Sequence, residues 1–211
     1  MNENKQYPLT NIVVKYILLA FRHPVFILNG LMQGVSIGIV YTSLVEAPSL
    51  VINDLGLTSI YFIYVSLLLL GAFVAGSIFC IFLEKFFSRT IIMFIAFLIM
   101  IGGSILMFFI YSYVHLNLFL AILPIMVTFF GISNVIPIST SQALSPYGHM
   151  AGIASAELGF FQMVLASLTT FIVALLHGHV LVVLPYVFFV LSVLGLFFVC
   201  IDYICIKFNK W

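Results

Sequence analysis

Six long apolar runs divide this chain of 211 residues, and they limit its fold more than any other feature of the sequence. A helix crosses a bilayer with about 20 apolar residues, so each run is long enough to span a membrane. The breaks between the runs hold turn-forming or charged residues. We therefore predict an all-α polytopic membrane protein with six transmembrane helices, over Pro24–Ala47, Ile60–Leu83, Thr90–Ser112, Leu116–Ser139, Ala151–Leu176 and Leu181–Ile204.

The segments outside these runs are short. Residues 1–23 are expected to form a cytoplasmic tail, or a helix lying at the membrane interface, because Lys15 and Arg22 flank only a brief apolar stretch. Residues 24–204 should form the six-helix bundle, and residues 205–211 a second cytoplasmic tail. This division leaves no room for a separate soluble domain.

Composition excludes several classes of function. Only 6% of the residues are charged, against about a quarter in a soluble domain, and no basic stripe is present to bind a nucleic acid. The sequence has no H-E-x-x-H motif, no Walker loop and no G-x-S-x-G motif, so we do not expect an enzyme. The cysteines form no CxxC pair and no Cys/His cluster, and neither a metal nor a cofactor is predicted. The expected surroundings are the lipid bilayer.

Positive charge is distributed very unevenly over the predicted loops. Six crossings place every lysine and arginine on the side of the two termini, and none in the opposite loops. Because cytoplasmic loops are enriched in lysine and arginine, both termini should be cytoplasmic in an inner (plasma) membrane. The residues concerned are Lys5, Lys15, Arg22, Lys85, Arg89, Lys207 and Lys210.

The first run combines small and polar residues. Gly30, Gly34 and Gly38 recur every fourth residue, which allows another helix to approach closely along that face. Polar side chains at Asn29, Gln33 and Ser36 lie on the neighbouring face, where they could line a polar cavity. The alternative is that they only form hydrogen bonds to adjacent helices.

Two further polar positions extend this candidate substrate cavity. Asn134 precedes Pro137 in the fourth run, where the missing proline N–H could break the helix beside polar partners or merely kink it. Gln162 shares one face of the fifth run with Ser155 and Thr169. The candidate cavity residues are therefore Asn29, Gln33, Ser36, Asn134 and Gln162.

Acidic residues in the runs are candidates for carrying a proton or a cation. Glu157 lies about two helical turns into the fifth run, where a carboxylate is costly unless it is protonated, hydrated or paired. It could instead reach the interface or pair with Lys85 or Arg89. Glu46, at the outer end of the first run, could attract cations or could be an ordinary solvated charge.

One long stretch carries a family resemblance. Residues 142–162 read QALSPYGHMAGIASAELGFFQ, which resembles the A-L-x-P…A-G-x-A-S-A-x-x-G-x-x-Q stretch of Bcr/CflA-type drug:proton antiporters of the major facilitator superfamily. Two shorter matches agree in order: Ala47-Pro48-Ser49 with the following LGLT, and Gly76-Ser77 with the LEK of a basic inner loop that contains Lys85 and Arg89. In these twelve-span proteins the long stretch joins spans ten and eleven. Glu157 stands where the family has an apolar residue.

The resemblance implies the carboxyl-terminal half of such a transporter. That half is one bundle of two inverted three-helix repeats, with substrate bound between the two halves. The chain would then be a half-length transporter that exports small organic molecules by proton-coupled alternating access. It would need a second bundle, either another copy of itself in a homodimer or a separately encoded amino-terminal half. The alternative is a transport-inactive remnant or a membrane interaction protein; a channel would need a filter-like run of residues that the sequence lacks.

Overall fold

Six helices account for nearly all of the chain that the structure describes. A computed structural model describes residues 23–113, 117–176 and 180–207, and these contain no β-strand. All six helices are long and apolar enough to cross a membrane, which confirms the predicted all-α, six-span architecture. The helices are α1 (Pro24–Ser49), α2 (Tyr61–Leu83), α3 (Arg89–Tyr113), α4 (Leu118–Leu144), α5 (Ala151–Leu175) and α6 (Val180–Lys207).

The first helix begins where predicted but ends later. Pro24 occupies the first turn of α1, where its missing N–H costs nothing. Pro48, which we expected to end the span, lies inside the helix, and a π-helical turn over Leu50–Asp54 continues it. The chain finally leaves the helix at Gly56, whose φ of 64° is readily adopted by glycine alone.

The fourth helix is continuous through its prolines. Pro124 and Pro137 both lie within α4, so the break considered near Asn134 does not form. The helix also runs past Ser139 to Leu144, and a 3₁₀ turn over Ser145–Met150 joins it to α5. The connection predicted over 140–149 is therefore shorter and more helical than the sequence suggested.

Four of the helices form a closed ring. In the described part of the chain α1 packs on α4, α4 on α3, α3 on α6, and α6 on α1. The other two lie outside this ring: α2 packs mainly on α4, and α5 mainly on α1. If α1 is exchanged with α4, α2 with α5, and α3 with α6, the same pairs of helices pack on each other.

The described cations lie at one end of the bundle. Lys85 and Arg89 lie in or beside the connection between α2 and α3, and Lys207 ends α6. This is also the end at which α1 begins, and we call it the basic end. Its position agrees with the charge distribution expected from the sequence; Lys5, Lys15, Arg22 and Lys210 lie outside the described residues.

Two apolar cores hold the bundle together. The larger core draws on all the helices except α5 and fills the ring with side chains such as Met32, Phe97 and Phe188, which are completely buried. A smaller core lies at the basic end, where the start of α1 meets the end of α4 and the start of α5. The smaller core consists of Phe26, Ala143, Tyr147, Ala154 and Leu158.

Candidate functional site

Glycines in α1 fix how the candidate site is built. A Cβ atom on Gly30 would come within 2.9 Å of the Phe161 ring, and one on Gly38 within 2.8 Å of Thr169 Oγ1. Between them, a Cβ on Gly34 would overlap Leu165. The glycine face therefore packs directly on α5, as its four-residue spacing predicts, and the two helices run in the same direction.

The polar face of α1 lies inside the bundle. Asn29, Gln33 and Ser36 are 1%, 3% and 0% exposed. Asn29 donates from Nδ2 to the backbone oxygen of Val25 at 2.9 Å, and Ser36 donates to that of Met32 at 3.0 Å. These two side chains therefore use their donors within their own helix.

Gln33 reaches a different helix. Its Nε2 donates to Oγ1 of Thr140 at 2.8 Å, which joins α1 to α4. Thr140 in turn donates to the backbone oxygen of Ile136 at 2.8 Å. Most buried polar groups in proteins are hydrogen-bonded, and here the Gln33 amide nitrogen and the Thr140 hydroxyl each donate one hydrogen bond.

Asn134 gives α4 a second buried amide. It is 2% exposed, and its Nδ2 donates to the backbone oxygen of Phe130 at 2.7 Å. Ser133 donates to the same oxygen at 2.8 Å. Asn134 thus repeats on α4 the arrangement of Asn29 on α1, with the donor satisfied four residues earlier.

The three amides share one chemical property. Asn29 Oδ1, Gln33 Oε1 and Asn134 Oδ1 are buried and accept no hydrogen bond from the described residues. Each amide therefore donates a hydrogen bond through its nitrogen, while its carbonyl oxygen accepts none from the described residues. Uncompensated acceptors of this kind favour a species that brings N–H or O–H donors, or positive charge.

Gln162 is separated from this group. It lies half-buried on α5, outside the ring, and no hydrogen bond joins it to the other four candidates in the described part of the chain. Ser155, which we expected on the same polar face, is exposed. The structure therefore places Asn29, Gln33, Ser36 and Asn134 inside the ring and leaves Gln162 at its outer edge.

Glu157 is buried without a partner. The residue is 8% exposed, and neither carboxylate oxygen accepts a hydrogen bond from the described residues. In the chain it lies between Ala154 and Leu158, two residues of the smaller core to which Tyr147 also belongs. The alternative ion pair with Lys85 or Arg89 is not formed. A carboxyl group in this position can take up and release a proton, or hold a cation.

The remaining charged candidates lie nearer the surface. Glu46 is half-buried near the end of α1 that is remote from the basic end. Lys85 is exposed and holds its Nζ 5.4 Å from the centre of the Phe82 ring, while Arg89 is exposed at the first turn of α3. Among the described residues, no hydrogen bond joins any of these three side chains to the buried amides.

Asp202 is a buried acid that the sequence analysis did not identify. It lies near the end of α6 and is 3% exposed. The sequence does indicate this residue, because Asp202 is a lone acid at the end of the last apolar run. Its depth is similar to that of Glu157, so the basic end of the bundle holds two buried carboxyl groups.

Comparison with known proteins adds no family to these observations. No family model matches the chain, and no curated protein matches it. The packing of the helices and the buried polar groups are therefore the features of the chain that bear on its function.

Proposed function

We propose that this chain is one half of a transporter of the major facilitator type, which exports small organic molecules by alternating access and works with a second six-helix bundle. The observation that carries the proposal is the helix packing. Exchanging the first three helices with the last three preserves the packing partners, so α1 corresponds to α4, α2 to α5, and α3 to α6. Because each set contains three helices, the second set crosses the membrane in the opposite sense. Two inverted three-helix repeats are the plan of one half of such a transporter.

The second bundle would pack against α2 and α5. Each lies outside the ring and packs mainly on one neighbour, and each exposes large apolar side chains such as Leu67, Phe82 and Phe160. A second bundle against these helices would enclose a path between the two halves, where such transporters bind substrate. The partner would be another copy of this chain or a separately encoded amino-terminal half.

The substrate class follows from the buried amides. The free oxygens on Asn29, Gln33 and Asn134 are all acceptors. We infer a small organic molecule that carries amine or ammonium donors, because it would supply the hydrogen bonds that the carbonyl oxygens lack. A neutral, donor-free hydrocarbon would leave them uncompensated.

Proton coupling would be carried by Glu157. A carboxyl group that is buried without a partner is unstable when charged, so its proton occupancy can be tied to the conformation that exposes it. The position beside the smaller core suits this role, since α1, α4 and α5 meet there at the basic end.

The first experiment determines the assembly and then measures flux. Native mass spectrometry of the chain, purified in mild detergent from its own membrane, should give a dimer or a complex with a second six-span chain. That assembly is then placed in proteoliposomes with the cationic dye ethidium. We expect saturable uptake or release of the dye, which Gln33→Leu and Gln162→Leu abolish.

Ser77→Ala is the matched control, because the Ser77 hydroxyl bonds only to the backbone oxygen of Phe73 on its own helix. It should leave flux unchanged. Undiminished flux in both leucine variants would remove Gln33 and Gln162 from the pathway. A chain that stays monomeric and moves no dye would overturn the transport proposal.

Coupling has a separate readout. An imposed pH gradient should drive ethidium movement in the native assembly, and Glu157→Gln should retain downhill movement but lose the response to the gradient. A carbodiimide that reacts with protonated carboxyl groups in apolar surroundings should modify Glu157 in the native chain, and mass spectrometry of the peptides should find that modification missing in Glu157→Gln while any label on Asp202 persists. Native flux that ignores the gradient would refute proton coupling and leave the transport proposal standing.

One observation favours a second candidate function. Asn29, Gln33 and Asn134 are at most 3% exposed and already place their donors on groups of the bundle itself. A membrane protein that binds a partner without transporting anything would use the same amides only to hold its helices together. This candidate predicts a stable complex without dye flux and full complex formation by Gln33→Leu.

A further inference from the structure

A groove runs between α3 and α6 at the basic end of the bundle. The start of α3 and the last turns of α6 form its two walls. Hydroxyl groups and apolar side chains both line it, and the lining includes Ser88, Thr90, Ile91, Phe94, Tyr203 and Ile204. None of these residues belongs to the candidate transport site.

The lining changes from polar to apolar with depth. Ser88 and Thr90 lie at the outer edge, where α3 begins, and Phe94 lies about 7 Å further along the axis, since a helix rises 1.5 Å per residue. Ile91, Phe94 and Ile204 are 47%, 40% and 52% exposed. This order of hydroxyl groups followed by apolar side chains matches the order of headgroup and acyl chain in a phospholipid, and the open apolar walls suit a chain of CH₂ groups.

Positive charge flanks the polar edge of the groove. Arg89 lies between Ser88 and Thr90 in the chain, and Lys207 follows Tyr203 by one helical turn. Both are exposed, and neither makes an ion pair with a described residue. Of the acids nearby, Glu84 is exposed in the preceding connection, while Asp202 is buried on the other side of α6.

The start of α3 strengthens the attraction for an anion. The first backbone N–H groups of a helix have no partner within it, and the helix dipole places partial positive charge there. Together with the Ser88 and Thr90 hydroxyls and the Arg89 guanidinium, they offer several donors to a phosphate.

We propose that this groove binds one anionic phospholipid, with its phosphate between Arg89 and Lys207 and one acyl chain along Ile91, Phe94 and Ile204. Charge selects the ligand, because basic pockets between helices at a membrane surface bind anionic headgroups. The inference does not depend on transport, and a transport-inactive chain would bind the lipid equally well.

The test uses native mass spectrometry of the full chain in mild detergent. Phosphatidylglycerol is titrated against phosphatidylcholine with identical acyl chains. We expect one tightly held phosphatidylglycerol and at least fivefold weaker phosphatidylcholine. Arg89→Ala and Lys207→Ala should each weaken phosphatidylglycerol about fivefold, since one cation near an anionic headgroup contributes about 1 kcal/mol.

Lys85→Ala is the matched control at the same end of the bundle. Its side chain lies over the Phe82 ring of α2, so the variant should bind phosphatidylglycerol as the native chain does. Ile91→Trp fills the groove and should lower the binding of both lipids. Thermal unfolding of each variant shows whether it is folded, and only variants with a native-like midpoint are compared.

Three outcomes would overturn the proposal. The first is equal binding of the two lipids, which indicates an apolar groove without headgroup recognition. The second is an effect of Lys85→Ala as large as that of Arg89→Ala, which indicates general attraction to the basic end. The third is displacement of the lipid by free glycerol phosphate at equal concentration, which indicates a phosphate site that does not use the acyl chain.

Discussion

Gln33 donates a hydrogen bond from Nε2 to Oγ1 of Thr140 over 2.8 Å, and this bond joins α1 to α4 within the bundle. The two residues are 107 positions apart in the chain. They connect the first helix of each three-helix set, which are the helices that carry the buried amides. Any movement that separates α1 from α4 must break or replace this bond.

The two ends of this bond should respond differently to mutation. Thr140→Val leaves the buried Gln33 amide without its acceptor, which costs about 1–3 kcal/mol of unfolding free energy. Gln33→Leu costs less, because the Thr140 hydroxyl still donates to Ile136. Thermal unfolding in detergent measures both variants. A larger loss in Gln33→Leu than in Thr140→Val would show that Gln33 stabilises the bundle mainly through contacts other than this hydrogen bond.

The double variant tests whether the two residues act through each other. Side-chain hydrogen bonds between membrane helices contribute on average about 0.6 kcal/mol in double-mutant cycles. We expect Gln33→Leu with Thr140→Val to show a coupling of that order. Ser77→Ala combined with Gln33→Leu is the control pair, since Ser77 bonds only within α2, and strictly additive effects are expected there.

The close contact between α1 and α5 gives a second prediction. Gly34→Ala places a methyl group against Leu165, so the Leu165 side chain or the whole of α5 must shift, at a cost of about 1–3 kcal/mol. Gly71→Ala is the matched control in α2, because a Cβ there meets nothing within 4 Å. Thermal midpoints should fall for Gly34→Ala and remain equal or rise for Gly71→Ala. Equal midpoints for the two variants would mean that α5 yields easily to α1.

Hydrophobic length explains why the spans could be predicted from the sequence. A bilayer imposes about 20 apolar residues on each crossing, and the predicted runs agree closely with the six helices at most of their ends. The four-residue glycine spacing likewise indicated a close helix contact in α1. The disagreements lie at Pro48 and at Ser139, where the helices continue beyond the expected breaks. At both places the turn-forming residues that we expected to end the span instead form a π-helical or a 3₁₀ turn, which prolongs the helix.

The partners of the polar residues could not be predicted in the same way. A helical wheel gives the face on which Gln33 lies, but the rotation and crossing of two helices decide that Thr140 faces it. Glu157 lies five residues before Gln162, which puts it on a different face of the helix, and the structure buries it near the 3₁₀ turn, whose shape no periodicity encodes. Asp202 could have been found from the sequence, because a lone acid in an apolar run is itself a signal.

A hydrogen bond between α3 and α4 gives a third prediction. The Tyr111 hydroxyl donates to the backbone oxygen of Ala121 at 2.9 Å, near the end of the bundle remote from the basic end. Tyr111→Phe removes the donor and leaves a buried carbonyl, so it should lower the unfolding free energy by about 1 kcal/mol. Tyr64→Phe is the control, because Tyr64 is 55% exposed. An unchanged thermal midpoint in Tyr111→Phe would show that another donor replaces the hydroxyl.

Membrane orientation gives a fourth prediction, which chemical labelling of intact cells can test. The distribution of lysine and arginine predicts that the basic end lies in the cytoplasm. Thr58 and Ser88 are both exposed, and they lie in connections at opposite ends of the bundle. In a chain whose own cysteines are replaced by serine or alanine, a membrane-impermeant maleimide should label Thr58→Cys in whole cells.

Ser88→Cys is the matched control for that experiment. It should react with the maleimide only after the cells are made permeable, because its connection contains Lys85 and adjoins Arg89. The reverse pattern would place the basic end outside the cell and contradict the predicted topology. Labelling of both variants in intact cells would indicate two orientations of the chain, as expected when too few charges fix the direction of insertion. The expected labelling pattern would in turn place the groove between α3 and α6 in the cytoplasmic leaflet, where anionic lipids attract basic residues.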